Sequence, residues 1–175
     1  MGQRNQNWDK ILELMFEYPN QKFSVREISK KIKIPSSSVQ RYIQELKKQK
    51  LVDKNNKLII NQYSKFLKTF FIIKKMLDIG LIDYIEKALV PETIILFGGA
   101  RKGEYDHESD IDIFIATTKK YPKEGHKQKL DLKKFEKILN HKIDLFINKD
   151  IQELPDNLFN NVINGIKLRG YFKIK

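Results

Sequence analysis

With 175 residues, 41% of them hydrophobic and 11% aromatic, the chain is long enough for one large or two small domains with packed cores, which excludes a disordered polymer. It contains no cysteine, which excludes disulfides and thiolate metal sites and fits an intracellular protein. The formal net charge of +12 is uneven: thirteen Lys/Arg stand against six Asp/Glu up to Tyr63, so the first third is the more basic per residue and favours a polyanionic partner.

The opening MGQRNQNWDK lacks the apolar core of a signal peptide. The nearest approach to a membrane span, Phe66 to Leu89, is interrupted by Lys68, Lys74, Lys75, Asp78, Asp83, Glu86 and Lys87. The expectation is a cytoplasmic protein with no membrane partner.

Trp8, Ile11, Leu12, Leu14, Met15 and Phe16 recur at helical spacing, and Pro19-Asn20 ends that helix. Ser24 followed by Glu27 is a capping box opening a second helix with Val25, Ile28 and Ile32 on its buried face. Pro35-Ser36 breaks it, and Ser36 is expected to cap a third helix. There Val39, Tyr42, Ile43 and Leu46 face inward, leaving Ser37, Gln40, Arg41, Gln44, Lys47 and Lys48 outside. Leu51-Val52-Asp53 and Lys57-Leu58-Ile59-Ile60 flank Lys54-Asn55-Asn56 as a hairpin whose turn asparagines tolerate positive φ.

Ser64 opens a long helical pattern through Phe66, Leu67, Phe70, Phe71, Ile73, Met76 and Leu77, continuing past a kink at Gly80 to Leu89. Thr93 to Phe97, bounded by Pro91-Glu92 and Gly98-Gly99, reads as a buried strand, and Ile111, Ile113 and Ile115 mark a second. Thr117 to Gly125, lysine-rich with Pro122, reads as a mobile loop. Leu130, Phe135, Ile138 and Leu139 mark a helix before the short strand His141 to Ile147. Leu158, Phe159, Val162, Ile163 and Ile166 give a last helix. His107, His126 and His141 show no ligand spacing and are expected at the surface.

The chemistry concentrates between Gly98 and Asp144. Asp110 and Asp112 alternate with the isoleucines, so period-2 geometry points both carboxylates to one face. At about 7 Å along the backbone they repel each other unless a cation intervenes. Hard oxygen ligands suit Mg²⁺ or Mn²⁺, which accept substrate phosphates as further ligands. Gly98-Gly99 allows a backbone to approach a phosphate closely. Asp144 is a single acid in an apolar run, where an unpaired charge is costly to bury.

Gly98-Gly99, ten further residues, Asp110-Ile111-Asp112 and a later Asp144 resemble the nucleotidyltransferase superfamily that includes DNA polymerase beta, especially its minimal members, over roughly Leu89 to Leu168. The resemblance implies an α+β domain with a small mixed sheet flanked by helices. It also implies transfer of a nucleoside monophosphate from a nucleoside triphosphate to an acceptor hydroxyl. Asp110, Asp112 and Asp144 would be metal ligands and catalytic carboxylates; Gly98, Gly99, Arg101, Lys102 and Ser109 would contact the nucleotide. Gly99 replaces the commoner serine, and Ala100 stands where many minimal members have arginine.

Residues from Trp8 to Tyr63 resemble a winged helix-turn-helix. In such modules the third helix enters the major groove and the hairpin touches phosphates. Arg41 and Gln44, with Ser37 and Gln40 beside them, suit base edges; Lys47, Lys48, Lys54 and Lys57 suit phosphates. The expected organisation is a winged helix over 1–63, a connector helix over 64–89 and a transferase domain over 90–175. Expected partners are a nucleoside triphosphate, duplex DNA, a protein acceptor and a second copy of the chain. Two other readings compete: a DNA-binding regulator with a nucleotide-sensing or inactive transferase domain, and an antitoxin-type adenylyltransferase of a toxin–antitoxin pair.

Overall fold

Ser24 and Glu27 open the second helix as their spacing predicts. In the computed structural model, which describes residues 3–118 and 130–171, Glu27 N donates to Ser24 Oγ at 3.2 Å and Ser24 N to the Glu27 carboxylate at 2.7 Å. The chain divides into two units, Met1–Lys68 with Tyr105–His107, and Thr69–Glu104 with Glu108–Lys175.

The first unit contains α1 (Gln3–Glu17), α2 (Val25–Ile32) and α3 (Ser36–Lys48). Ile11, Leu12, Met15 and Phe16 of α1 are buried, as are Ile28 of α2 and Val39, Tyr42, Ile43 and Leu46 of α3, because each set recurs on one helical face. Ser36 does not cap α3. Pro35 occupies the cap position with φ −54° and no side-chain bond, and Ser36 is already helical. The expected hairpin shrinks to a single antiparallel bridge, Val52 to Leu58. Its turn is organised by Asp53, whose Oδ1 accepts from Asn55 N at 2.8 Å and Lys57 N at 2.9 Å, while Asn56 takes φ 57°. In the same unit, His107 N donates to Glu17 O at 3.0 Å and the His107 ring lies 4.4 Å from that of Tyr18.

α4 (Gln62–Asp78) begins two residues before Ser64. Asn61 caps it: Ser64 N donates to Asn61 Oδ1 and Asn61 N to Ser64 Oγ, each at 2.9 Å. The predicted connector is two helices, not one. Gly80 adopts φ 72°, a left-handed conformation incompatible with continuing the helix, and α5 (Leu81–Leu89) starts anew.

The second unit is built on a four-stranded sheet in the order β3-β2-β1-β4: β1 (Thr93–Leu96), β2 (Ile111–Ala116), β3 (Ile143–Asn148) and β4 (Ile166–Gly170). β1 is antiparallel to β2 and β4, whereas β2 and β3 are parallel, with α7 (Lys133–Leu139) between them in the chain. A short helix, α6 (Gly98–Lys102), follows β1, and α8 (Asp156–Ile163) precedes β4. Ile95, Phe97, Phe114, Ala116, Ile151 and Val162 form a buried cluster, against which Phe146, Leu154, Leu158 and Phe159 pack. The last helix therefore ends before Ile166. That residue opens β4, and Gly165 before it has no room for a Cβ, which would strike Ile95 and the backbone. The predicted loop over residues 119–125, with Pro122, and His126 lie outside the described residues.

Candidate active site

The parallel register of β2 and β3 sets Asp112 directly beside Asp144. Neighbouring strands lie about 4.8 Å apart and paired residues share a sheet face, so two acids that are 32 positions apart in the chain become lateral neighbours. Asp110 stands one residue ahead of β2 rather than within it, on the same side as Asp112 by the two-residue period. Asp112 is half-buried, whereas Asp110 and Asp144 are exposed. Burial, then the charges of Asp144 and Asp110, push the Asp112 carboxyl above its ordinary value. Asp110 and Asp144 thus both lie near enough to Asp112 for their charges to act on it. Among the described residues, no group of three or more His, Cys, Asp or Glu side chains is drawn together at metal-ligand spacing.

Gly98 completes this corner. Its φ is 66°, and a Cβ built there would overlap Asp112 Oδ2 and come within 2.9 Å of Asp112 Cγ. Only glycine both adopts the conformation and leaves room for the carboxylate. Phe97 N donates to Asp112 O at 3.1 Å, fixing the end of β1 against β2 at this level. Ala100 is wholly buried, and Thr69 Oγ1 donates to Ala100 O and Arg101 O at 3.1 Å, which anchors the end of α6 to α4.

The other predicted nucleotide contacts are placed less closely. Gly99 lies in α6 after Gly98; Arg101 is half-buried and Lys102 exposed in its last turn. Ser109 is half-buried, and its carbonyl accepts from His141 Nδ1 at 2.8 Å. His141 was expected at the surface but is 5% exposed. Asn140 ends α7 with φ 62° and turns the chain inward at that point, a conformation that Asn tolerates. No local signal in the sequence marks that burial, because the partner of the histidine lies 32 positions away. His107 is exposed, as expected.

On α3, Ser37, Gln40, Arg41, Gln44 and Lys48 are exposed. The Arg41 guanidinium lies 5.2 Å from the centre of the Tyr42 ring. Lys47 is half-buried, not fully outside: its Nζ donates to Lys54 O at 3.2 Å. Lys54 is exposed and Lys57 half-buried in the turn that follows. No described helix is long and apolar enough to cross a membrane.

A family model described as a nucleotidyltransferase domain matches residues 80–168, which include Gly98, Gly99 and all three acids. No curated protein and no solved structure matches the chain.

Proposed function

The chain belongs to the nucleotidyltransferase domain family, and from that premise we propose that it moves a nucleoside monophosphate from a nucleoside triphosphate to an acceptor hydroxyl in a reaction requiring Mg²⁺ or Mn²⁺. The acceptor oxygen bonds to the α-phosphorus and the bond from that phosphorus to the bridging oxygen breaks. Pyrophosphate leaves, and the hydroxyl proton passes to Asp144 or to water.

The observation that carries this reading is the pair Asp112 and Asp144 abreast in parallel strands, with Gly98 cut back to admit the first carboxylate. The donor set fits a hard divalent cation: it is all carboxylate oxygen, and its mutual repulsion is relieved by positive charge. Asp110 and Asp112 would hold the ions, with Asp144 completing the position next to the acceptor. Bound there, the ions offset triphosphate charge and stabilise the attacking and leaving oxygens. The backbone N–H groups of Gly98 and Gly99 meet phosphate oxygens; Arg101 and Lys102 balance charge and Ser109 lines the approach. The acceptor we propose is a hydroxyl on a protein or other macromolecule.

For residues 1–63 we propose a winged helix-turn-helix that binds duplex DNA. The exposed Ser37, Gln40, Arg41 and Gln44 support base contacts, while Lys47, Lys48, Lys54 and Lys57 supply phosphate contacts.

Incubation of the full chain with labelled nucleoside triphosphates, Mg²⁺ and host-cell extract tests the transfer. The expected result is label on a macromolecule, lost with Asp112→Asn. Label that persists undiminished in that variant would assign the activity elsewhere.

A further inference from the structure

Asp110 is the one acid of the three outside a strand, so the sheet ladder alone does not hold it. Its two flanking peptide planes are nevertheless both tied. Ile111 N, in the plane after Asp110, donates to Lys142 O at 2.9 Å. The carbonyl of Ser109, in the plane before it, meets His141 Nδ1 at 2.8 Å. A carbonyl oxygen has no hydrogen to give, so Nδ1 carries the proton and the imidazole donates. The two anchors are consecutive residues of the segment that becomes β3, three and two positions before Asp144.

That segment is itself secured. Glu136 Oε1 of α7 accepts from Ile143 N at 3.1 Å, and Asn140 N bonds to Glu136 O at 2.8 Å as the helix ends. His141 is more than nine-tenths buried, so its ring is confined and its bond shielded from water. Fixing both peptide planes of a residue fixes its φ and ψ, and with them the direction in which its side chain leaves the backbone. The repulsion acting on Asp112 from Asp110 and Asp144 shows why direction matters. Asp110 is exposed, so its backbone rather than surrounding side chains sets where its carboxylate starts.

We infer that His141 is a positioning residue whose Nδ1–H, held on the Ser109 carbonyl, fixes Asp110 relative to Asp112 and Asp144. This rests on the reading of those acids as cation ligands. It adds a buried residue that touches neither cation nor nucleotide and acts through the backbone.

The test is titration of the full chain with Mn²⁺ alone, followed by loss of the free-ion electron paramagnetic resonance signal. Asparagine puts its amide nitrogen where imidazole has Nδ1; glutamine reaches the Nε2 position instead; leucine has no donor. His141→Asn should bind Mn²⁺ within about threefold of the wild type, while His141→Gln and His141→Leu should bind about tenfold more weakly or worse, the scale of second-layer effects at metal sites. Circular dichroism checks that each variant is folded, and if the leucine variant is not, the Asn and Gln pair decides. Wild-type binding by the Gln variant, or equal losses in Asn and Gln, would overturn the assignment. If the wild type binds no Mn²⁺, or Asp112→Asn binds it equally well, the cation reading itself fails and the role of His141 falls with it.

Discussion

Lys68 and Tyr105 hold each other at both ends. Lys68 Nζ donates to Tyr105 O, Tyr105 Oη donates back to Lys68 O at 3.1 Å, and the ammonium sits 4.5 Å from the centre of the ring. Both side chains are buried. Burial pulls the Lys68 ammonium down to about 8 from 10.5, against the raising influence of Glu17 and Asp106. Burial likewise pushes the Tyr105 phenol far up.

A cation whose folded pKa is depressed binds its proton less tightly in the folded than in the unfolded chain. Stability therefore rises with pH between the two values. Thermal unfolding of the full chain should show Tm rising between pH 8 and pH 10, with that slope absent in Lys68→Met, which keeps the packed stem. Above pH 10 Tyr105 opposes the gain, because its folded form holds a proton that the unfolded phenol loses. A slope identical in both proteins would show that Lys68 is not the group responsible.

Asp112 predicts a conflict between stability and function. Its carboxyl is raised by burial, Asp144 and Asp110, so holding that group as a carboxylate costs the folded state stability. Asp112→Asn removes one charge and should raise Tm in chelator while abolishing Mn²⁺ binding. Added Mn²⁺ should then stabilise only the wild type, by about 2.7 kcal/mol at a concentration one hundred times Kd. The same raised carboxyl predicts that Mn²⁺ affinity weakens on acidification before the ordinary carboxylate range is reached. Equal Tm values in chelator, with equal responses to the ion, would contradict this picture.

Two glycines separate backbone strain from collision. Gly80 has φ 72° with nothing within 4 Å of a built Cβ, whereas Gly98 has φ 66° and Asp112 in the way. Gly80→Ala should cost only the left-handed penalty, about 1–2 kcal/mol, and leave nucleotide transfer intact. Gly98→Ala should cost that much plus the displacement of Asp112, and should lose transfer. Denaturant unfolding and the labelling assay, run side by side, check both halves.

Duplex binding by the first 63 residues should be tested in the full chain. Each phosphate neutralised contributes about −0.9 to the slope of log affinity on log salt. Lys48→Ala should shallow that slope by about that amount, whereas Arg41→Ala should cost about 1–3 kcal/mol and relax sequence preference. Salt-indifferent binding, or none, would point to a docking module for protein.

Local chemistry was readable where residues act through near neighbours. Ser24 with Glu27, the face of α3 and the alternation around Asp112 each follow from spacing of two to four residues. At the end of the chain the helical period outruns its element. Ile166 continues the helical spacing of Leu158, Phe159, Val162 and Ile163, so spacing alone carries the helix into β4. Ser36 and Ser64 have the chemistry of caps, yet Pro35 and Asn61 stand in the cap positions. Gly80 was visible as a kink; that it ends the helix depends on a positive φ no pattern reveals. The burial of His141 depends on a bond to a residue 32 positions away, and the parallel register of Asp112 and Asp144 on strand order, so neither is a local property.

In the sheet order β3-β2-β1-β4, Asp112 lies on an interior strand and Asp144 on an outermost one. Outer strands exchange their amide hydrogens through small local openings that leave the rest of the sheet intact, at free energies well below that of global unfolding. The candidate site therefore straddles a gradient of local stability, its Asp144 half on the side that opens first. Amide hydrogen exchange of the full chain should therefore run faster in β3 than in β2, and equal rates in the two strands would show that Asp144 is held as firmly as Asp112.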